Sequence, residues 1–161
     1  MNTSINNQNW YTAYMLIQLM NANENVKTSM IFGCLWDETL QWLVDSGNKT
    51  YADMKNSTSW GNYYDSTFEY KKTSGNTSTK SVNSSTIIPS GSTEYSKANN
   101  IYDMAGNVYD WTLEGDGSNY RRYRGGNYVN SGSGRPASYR NGNNPNYSDS
   151  SIGFRAYLYI K

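Results

Sequence analysis

The side chains that usually carry chemistry are scarce in this sequence. The chain of 161 residues has no histidine and a single cysteine, Cys34. Imidazole acid–base catalysis, histidine-ligated zinc and histidine-rich iron sites are therefore excluded, and any metal must sit among oxygen ligands. Cys34 lies in the apolar run MIFGCLW, where it is expected to be a small buried hydrophobe and not a reactive thiol. The abundant chemistry is that of recognition. Between Ser118 and Ser151, 24 of 34 residues are Tyr, Ser, Gly or Asn, interspersed with Arg121, Arg122, Arg124, Arg135 and Arg140. Tyr and Arg supply contact area while Ser, Gly and Asn supply adaptable hydrogen bonds, which is the composition of antibody-like binding surfaces. Five tyrosines in the segment, and a strand-like apolar run directly after it, argue against a disordered linker. Tyr128, Tyr139 and Tyr147 are expected as exposed contact residues.

Composition bounds the rest. Hydrophobic residues make up 36 % and aromatic residues 15 %, with 16 Tyr and 5 Trp. The core must therefore lean on rings, whose polar tips need partners. The length fits one domain over residues 1–161. A net charge of +1 gives no electrostatic reason to expect nucleic acid or an anionic membrane as partner. The start MNTSINNQ lacks a secretory signal, and the run Tyr14 to Met20 is too short to span a bilayer, so no membrane insertion is expected.

The elements that must position the recognition segment can be read in outline. Residues 9–23 place Trp10, Tyr14, Ile17 and Met20 at helical spacing, which predicts a buried helix. A second helix is predicted over 31–44, with Leu35, Thr39 and Trp42 on one face, Trp36, Leu40 and Leu43 on another, and Gly47 as its stop. From Lys49 to Asn100 the pattern predicts long ordered loops with a few short strands. Within it, KKTSGNTSTKSVNSS (71–85) has no apolar periodicity, and the alternative there is a disordered insert. The last third predicts short strands: NIYDM, NVYDWT, RRYRGG and a half-buried GFRAYLYI in which Phe154, Ala156, Leu158 and Ile160 alternate with Arg155, Tyr157 and Tyr159.

Three of these stretches carry a resemblance. NIYDMAGNVYDWT (100–112), RGGNY (124–128) and GFR (153–155) resemble the ordered motifs N-x-Y-D-M-x-G-N-V-W-E-W, R-G-G-S-W and G-F-R of the formylglycine-generating enzyme (sulfatase-modifying factor) family. The resemblance implies an α+β, C-type-lectin-like fold with two helices, small antiparallel sheets and extensive ordered loops, here without the family's N-terminal strands. It implies that Gly125, Gly126, Trp111 and Phe154 are constrained or packed, and that Arg155 pairs with a buried acid or carbonyl. It also implies a calcium site built from the side chains of Asp103 and Asp110 and the carbonyls of Gly106 and Val108. The alternative for the two aspartates is that they cap turns.

The family's oxidase chemistry does not carry over. Active members bind copper through two cysteines shortly after R-G-G, whereas Val129, Asn130, Ser131 and Gly132 follow Tyr128 here, and an amide cannot replace a thiolate for copper(I). Neither copper nor iron is expected. A narrower resemblance is to the variable proteins of diversity-generating retroelements, found in phages and bacteria, where the same fold carries a rewritten C-terminal stretch. Asn127, Tyr128, Asn130, Ser131, Ser133, Tyr139, Asn141, Asn143, Asn144, Asn146 and Tyr147 fit the residue palette of that stretch, as do Ser148 and Asp149. The resemblance implies a non-enzymatic domain binding a protein or glycan receptor from a phage virion or bacterial cell surface. The alternatives are a degenerate or atypical formylglycine-generating oxidase and a structural module of a larger surface protein.

Overall fold

The computed structural model describes residues 4–20 and 25–160. In chain order the elements are α1 (Trp10–Leu19), β1 (Val26–Met30), α2 (Gly33–Asp45), α3 (Tyr51–Lys55), β2 (Phe68–Lys71), β3 (Thr77–Lys80), β4 (Lys97–Ala98), β5 (Ile101–Tyr102), β6 (Tyr109–Gly115), β7 (Arg121–Arg124), β8 (Arg140–Asn143), β9 (Ile152–Phe154) and β10 (Ala156–Ile160). Strands β8, β7, β6 and β9 form a four-stranded sheet in that order. It is mixed and not purely antiparallel as predicted, because β9 runs parallel to β6. Three antiparallel pairs, β1 with β10, β2 with β3 and β4 with β5, complete the architecture.

The helices follow their apolar stripes. Helix α1 starts at Asn9, whose side chain accepts from the Thr12 amide, as an N-cap should. It buries Trp10, Ala13 and Ile17. The predicted full burial does not hold: Tyr14 and Met20, together with Tyr11, Met15 and Leu19, are exposed, so α1 is amphipathic and lies on the surface. Residues 21–23 of the predicted helix fall outside the described residues. In α2 the buried face is Trp36, Leu40 and Leu43, preceded by Gly33, and Gly47 follows the helix with φ of 70°. Cys34 corrects an expectation. It is exposed, because the residues one and two places away, Gly33 and Trp36, occupy the inward face of the helical turn. A third helix, α3, was missed. It is short but carries a full capping box, in which Thr50 accepts from the Asp53 amide and Asp53 accepts from the Thr50 amide, the pattern that favours helix initiation.

Two apolar clusters fill the interior. One gathers Trp36, Leu40, Leu43, Met54, Trp60, Tyr63 and Met104. The other packs Trp10, Ala13 and Ile17 of α1 against Tyr109, Trp111, Tyr123 and Ile152 of the sheet. The ring tips find partners, as buried indoles and phenols must. The indole N–H groups of Trp10, Trp36, Trp60 and Trp111 donate to the carbonyls of Thr112, Ala137, Asp53 and Gln8. The Tyr63 hydroxyl donates to Gly125 O at 3.0 Å. The C-terminal run splits at Arg155 into β9 and β10, and in β10 residues Ala156 to Tyr159 are exposed. It is not the half-buried strand that its alternation predicted, since its sheet has only β1 as a second strand.

The segment 71–85 follows the reading of ordered loops with short strands and not the alternative of a disordered insert. Its first half closes the β2–β3 hairpin, with Phe68 opposite Lys80 and Lys71 opposite Thr77. A buried ammonium anchors what periodicity could not reveal. Lys80 is 1 % exposed, and its Nζ donates to the carbonyls of Tyr63, Tyr64 and Ser66. Burial lowers its pKa to about 8, with Asp65 opposing, so the ammonium form persists at neutral pH. Asn107 does comparable work between the loops. It is 1 % exposed at a φ of 61°, and its carboxamide has four partners: Oδ1 accepts from Asn62 Nδ2 at 3.0 Å and from the Ile88 amide at 3.1 Å, while Nδ2 donates to Ser4 Oγ and Ile88 O, both at 3.1 Å.

Replacing Lys80 by Met should therefore strand up to three carbonyls and lower stability by roughly 2–4 kcal/mol, each unsatisfied buried acceptor costing about 1–3 kcal/mol before relaxation. Urea melts of K80M would check this, and a midpoint unchanged from wild type would remove Lys80 as the anchor. Asn107→Ala should cost more than about 3 kcal/mol because two donors and two acceptor sites lose partners together. Hydrogen exchange should locate the loss at residues 86–88 and 62, and a purely global, uniform increase in exchange would contradict the clasp.

Candidate functional site

The segment 118–151 begins at strand β7, where a period of two sorts the arginines. Arg122 and Arg124 project to one face, and Arg140 of β8 joins them because it pairs in register with Arg124. This face is compensated. Arg122 meets Asp116 at 3.1 Å, Arg124 pairs with Asp37 and lies 3.9 Å from Glu114, and Arg140 also pairs with Glu114. Arg121 and Tyr123 project to the other face, opposite Asn143 and Asn141, where no acid meets Arg121 among the described residues. Its guanidinium stacks 4.6 Å over the Trp10 ring. Arg135 behaves alike, lying 4.2 Å over the Tyr139 ring. Both are cation–π contacts, a geometry in which the edge donors of the guanidinium stay available for other partners, and Arg135 uses its edge on the Tyr109 hydroxyl.

The brackets of the segment are rigid. Gly125 and Gly126 have φ of 93° and 75°, and a Cβ on Gly126 would collide with the Arg135 carbonyl and the Tyr63 ring. Both requirements select glycine. At the far end Trp111 is fully buried and Phe154 partly buried against the same cluster. Arg155 donates to Tyr102 O at 2.7 Å and approaches Asp110 at 3.4 Å, the acid and carbonyl pairing that was expected.

Between the brackets the predicted contact residues separate into three groups. Ser133, Asn144, Asn146 and Tyr147 are exposed, Tyr147 to 41 %. Tyr128, Asn130, Ser131, Tyr139, Asn141 and Asn143 are half-buried. Asn127 is a correction, being 2 % exposed, with Oδ1 turned back to accept from the Val129 amide. Tyr139 is a second correction. Its ring packs with Tyr109 at a centroid distance of 5.9 Å, and Tyr109 in turn meets Tyr123 at 4.7 Å, so it belongs to an aromatic layer and not to a free surface. Tyr128 is half-buried and not exposed, its amide donating to Asn107 O at 2.9 Å. Asn130, which follows R-G-G where a copper ligand would be sought, accepts from the Tyr109 hydroxyl at 3.0 Å. Burial pushes that phenol up to about 12, with Arg135 opposing, so Tyr109 is a permanent donor there.

The route of the segment is set by main-chain bonds. The carbonyls of Asn130, Gly132, Tyr139, Pro145 and Asp149 accept from the amides of Tyr64, Ser57, Gly125, Trp10 and Asn7. Composition pointed to the segment as a whole, Arg121 and Arg135 included, but missed Tyr11, which joins its surface from α1. The register of β7, which turns Arg121 toward Trp10 of the same helix, supplies the signal.

The four positions singled out for a metal do come together. Asp103, Gly106, Val108 and Asp110 line one cavity of about 450 Å³, with Ser90, Gly91, Tyr102 and Arg155. Asp103 accepts from Ser96 Oγ at 2.6 Å and from the Gly91 amide at 3.1 Å. Burial raises the pKa of Asp103 against these bonds, and pushes Asp110 up to about 6 despite Arg155, with the charge of Asp103 adding to the rise. Two buried carboxylates thus share one guanidinium. No cluster of three or more His, Cys, Asp or Glu occurs among the described residues.

Comparison with known proteins agrees with this geometry. Treponema denticola variable protein 1 superposes with a TM-score of 0.60 at 17 % identity, over 96 % of this chain and 70 % of that one. The crystal structure of CarF superposes with a TM-score of 0.57 at 17 % identity, over 97 % of this chain and 67 % of that one. No curated protein matches by sequence. The family model described as sulfatase-modifying factor enzyme 1-like domain matches residues 41–159, and with the G-N-V and R-G-G loops and the mixed sheet in place, the chain belongs to that family and has its C-type-lectin-like fold.

Proposed function

We propose that the protein is a non-enzymatic binding domain whose displayed surface tolerates change, as in a retroelement variable protein, and that it presents this surface to a protein or glycan receptor from a virion or cell surface. One observation carries the proposal. The chain between Asn130 and Asp149 is tied to the rest of the fold by main-chain carbonyls, which every residue type supplies, while Ser133, Asn144, Asn146 and Tyr147 are exposed, Asn144 adding a local bond in which its Oδ1 accepts from the Asn146 amide at 2.9 Å. A loop built so can change side chains without losing its path. The structural likeness to Treponema denticola variable protein 1 supports this use of the fold. Against oxidase chemistry stands the residue inventory. The sole thiol, Cys34, is on the exposed side of α2, and an amide occupies the position after R-G-G where a thiolate would be needed.

Two outcomes are expected. Replacing Ser133, Asn144, Asn146 and Tyr147 together by Ala should shift stability by no more than about 2 kcal/mol, since exposed substitutions usually move it by about 0.5 kcal/mol each. A library diversified at these four positions, displayed and selected against an unrelated protein target, should yield folded binders, whereas one diversified at Asn107, Asn127 and Tyr139 should yield few folded members. Loss of the melting transition in the quadruple variant would show that the exposed positions are scaffold.

We further propose that calcium occupies the Asp103–Asp110 cavity. The residues fit a hard cation: two buried carboxylates outnumber the single guanidinium, and the remaining donors would be oxygen, including the carbonyls of Gly106 and Val108. The ion would tie the β5–β6 loop to β9 through residues that already meet there. Chelation with EDTA should lower the melting temperature, and saturating calcium should restore about 2.7 kcal/mol at a hundredfold excess over the dissociation constant. Asp110→Asn should remove the sensitivity to chelator. Superimposable melts in EDTA and in millimolar calcium would leave Arg155 as the only cation of the cavity.

A further inference from the structure

Beside the turn at Asn144–Tyr147 lies a second concavity that no element of the family's motifs explains. It has a volume of about 280 Å³ and is lined by Tyr11, Ser118, Asn119, Arg121, Asn144, Pro145 and Asn146. Its two walls come from opposite ends of the sequence, α1 on one side and the displayed segment on the other, joined by the bond from the Trp10 amide to Pro145 O at 3.0 Å. The charge balance is unusual for this molecule. Four of its six arginines pair with carboxylates, whereas Arg121 stacks on Trp10 and meets no acid among the described residues. Packing against the indole fixes the plane of the guanidinium and lowers the entropy lost when its edge takes a bidentate acceptor. Around it stand three primary amides, a serine and the ring of Tyr11, which is 50 % exposed.

We propose that this cleft binds a carboxylate-bearing sugar unit, a uronate residue of an acidic glycan. The carboxylate would meet the edge of Arg121, the hydroxyls would exchange hydrogen bonds with Asn119, Asn144 and Asn146, and the apolar face of the sugar ring would lie on Tyr11. The cleft has room for a single ring. It has no apolar pocket of the kind that anchors a peptide side chain, and its amide-rich walls match a polyhydroxylated ligand. The proposal rests on the reading of the segment as a binding surface and adds two things to it: the class of ligand, and the participation of α1, which lies outside the segment.

The test is a titration of the intact protein, followed by amide NMR shifts, with cellotetraose and with its tetrauronate oxidised at C6. The tetrauronate should produce saturable shifts at Tyr11, Ser118, Asn119 and Asn144–Asn146, and cellotetraose should bind at least about tenfold more weakly, the charged hydrogen bonds being worth that factor or more. Arg121→Gln should reduce tetrauronate affinity by a similar factor. Because that variant also loses its stacking on Trp10, Tyr11→Ala and Asn146→Ala, both at exposed positions, serve as independent checks and should each weaken binding while the melt stays near wild type. Equal affinity for the two oligosaccharides, shifts elsewhere on the surface, no saturable shift at millimolar tetrauronate, or stronger binding of a tetraglutamate peptide would each overturn the proposal. If the four-position library still yields binders, the displayed-surface reading survives such a failure.

Discussion

A single buried carboxamide holds together segments that have too little apolar surface to hold themselves. Asn107 sits in the left-handed region with φ of 61°, directly after Gly106 at 73°. Asparagine tolerates this conformation better than most residues. The turn aims its side chain at Ser4, Ile88 and Asn62, and its main chain both donates to Asn62 O and accepts from Tyr128 N. The start of the chain, the loop at 86–88, the loop after α3 and the start of the displayed segment therefore meet at one residue. Each of these bonds replaces a bond to water and is worth only about 1 kcal/mol net. Leaving them unmade inside the protein costs more, so the turn behaves as all or none.

The same logic runs through the rest of the interior. With 36 % hydrophobic residues, the clusters close by joining rings to distant carbonyls and not by aliphatic packing alone. Trp10 reaches Thr112 across the sequence, and Trp36 reaches Ala137. Lys80 extends the principle to a charge, placing an ammonium among three carbonyls. Such contacts are directional, whereas apolar burial is not. They specify which loop meets which, and a fold dominated by irregular backbone needs that information more than it needs additional buried area.

This division explains what could be read from the sequence. The two longer helices, the strands of the last third and the family were legible because apolar spacing and the G-N-V, R-G-G and G-F-R motifs are local signals. Lys80 was not legible: a lysine at the end of a polar run has the same local appearance whether its ammonium meets water or three carbonyls 14 to 17 residues away. Thr50 and Asp53 did carry a legible capping box for α3, but the low apolar content of its surroundings hid it. The exposure of β10 was illegible for another reason. Alternation predicts two faces, but not whether any layer covers one of them. In the candidate site, composition located the segment correctly and could not sort it. Asn127 and Asn146 are the same residue type nineteen positions apart, one turned into its own loop and the other facing solvent.

The sorting has an energetic consequence for how such a surface can be used. Half-buried positions such as Tyr139 and Asn130 hold one another through the Tyr109 layer, so a change there risks the several kcal/mol that core cavities cost. Ser133, Asn146 and Tyr147 carry no such load, and Asn144 adds only the bond that its Oδ1 accepts from the Asn146 amide. Their backbone path is set by Gly132 O and Pro145 O, which accept from Ser57 N and Trp10 N, and these donors lie outside the segment. Among the predicted contact residues, the exposed positions therefore fall in two short turns and are not spread over the whole segment. Arg121 lies between these extremes. It projects toward the turn at 144–146, yet its position is fixed by the register of β7 and by Trp10. A constant cation beside changeable amides allows one chemical feature of a ligand to be retained while its neighbours are discriminated anew. That separation follows directly from placing Arg121 on the face of β7 where no acid pairs with it among the described residues, and Arg122 and Arg124 on the face that meets Asp37, Glu114 and Asp116.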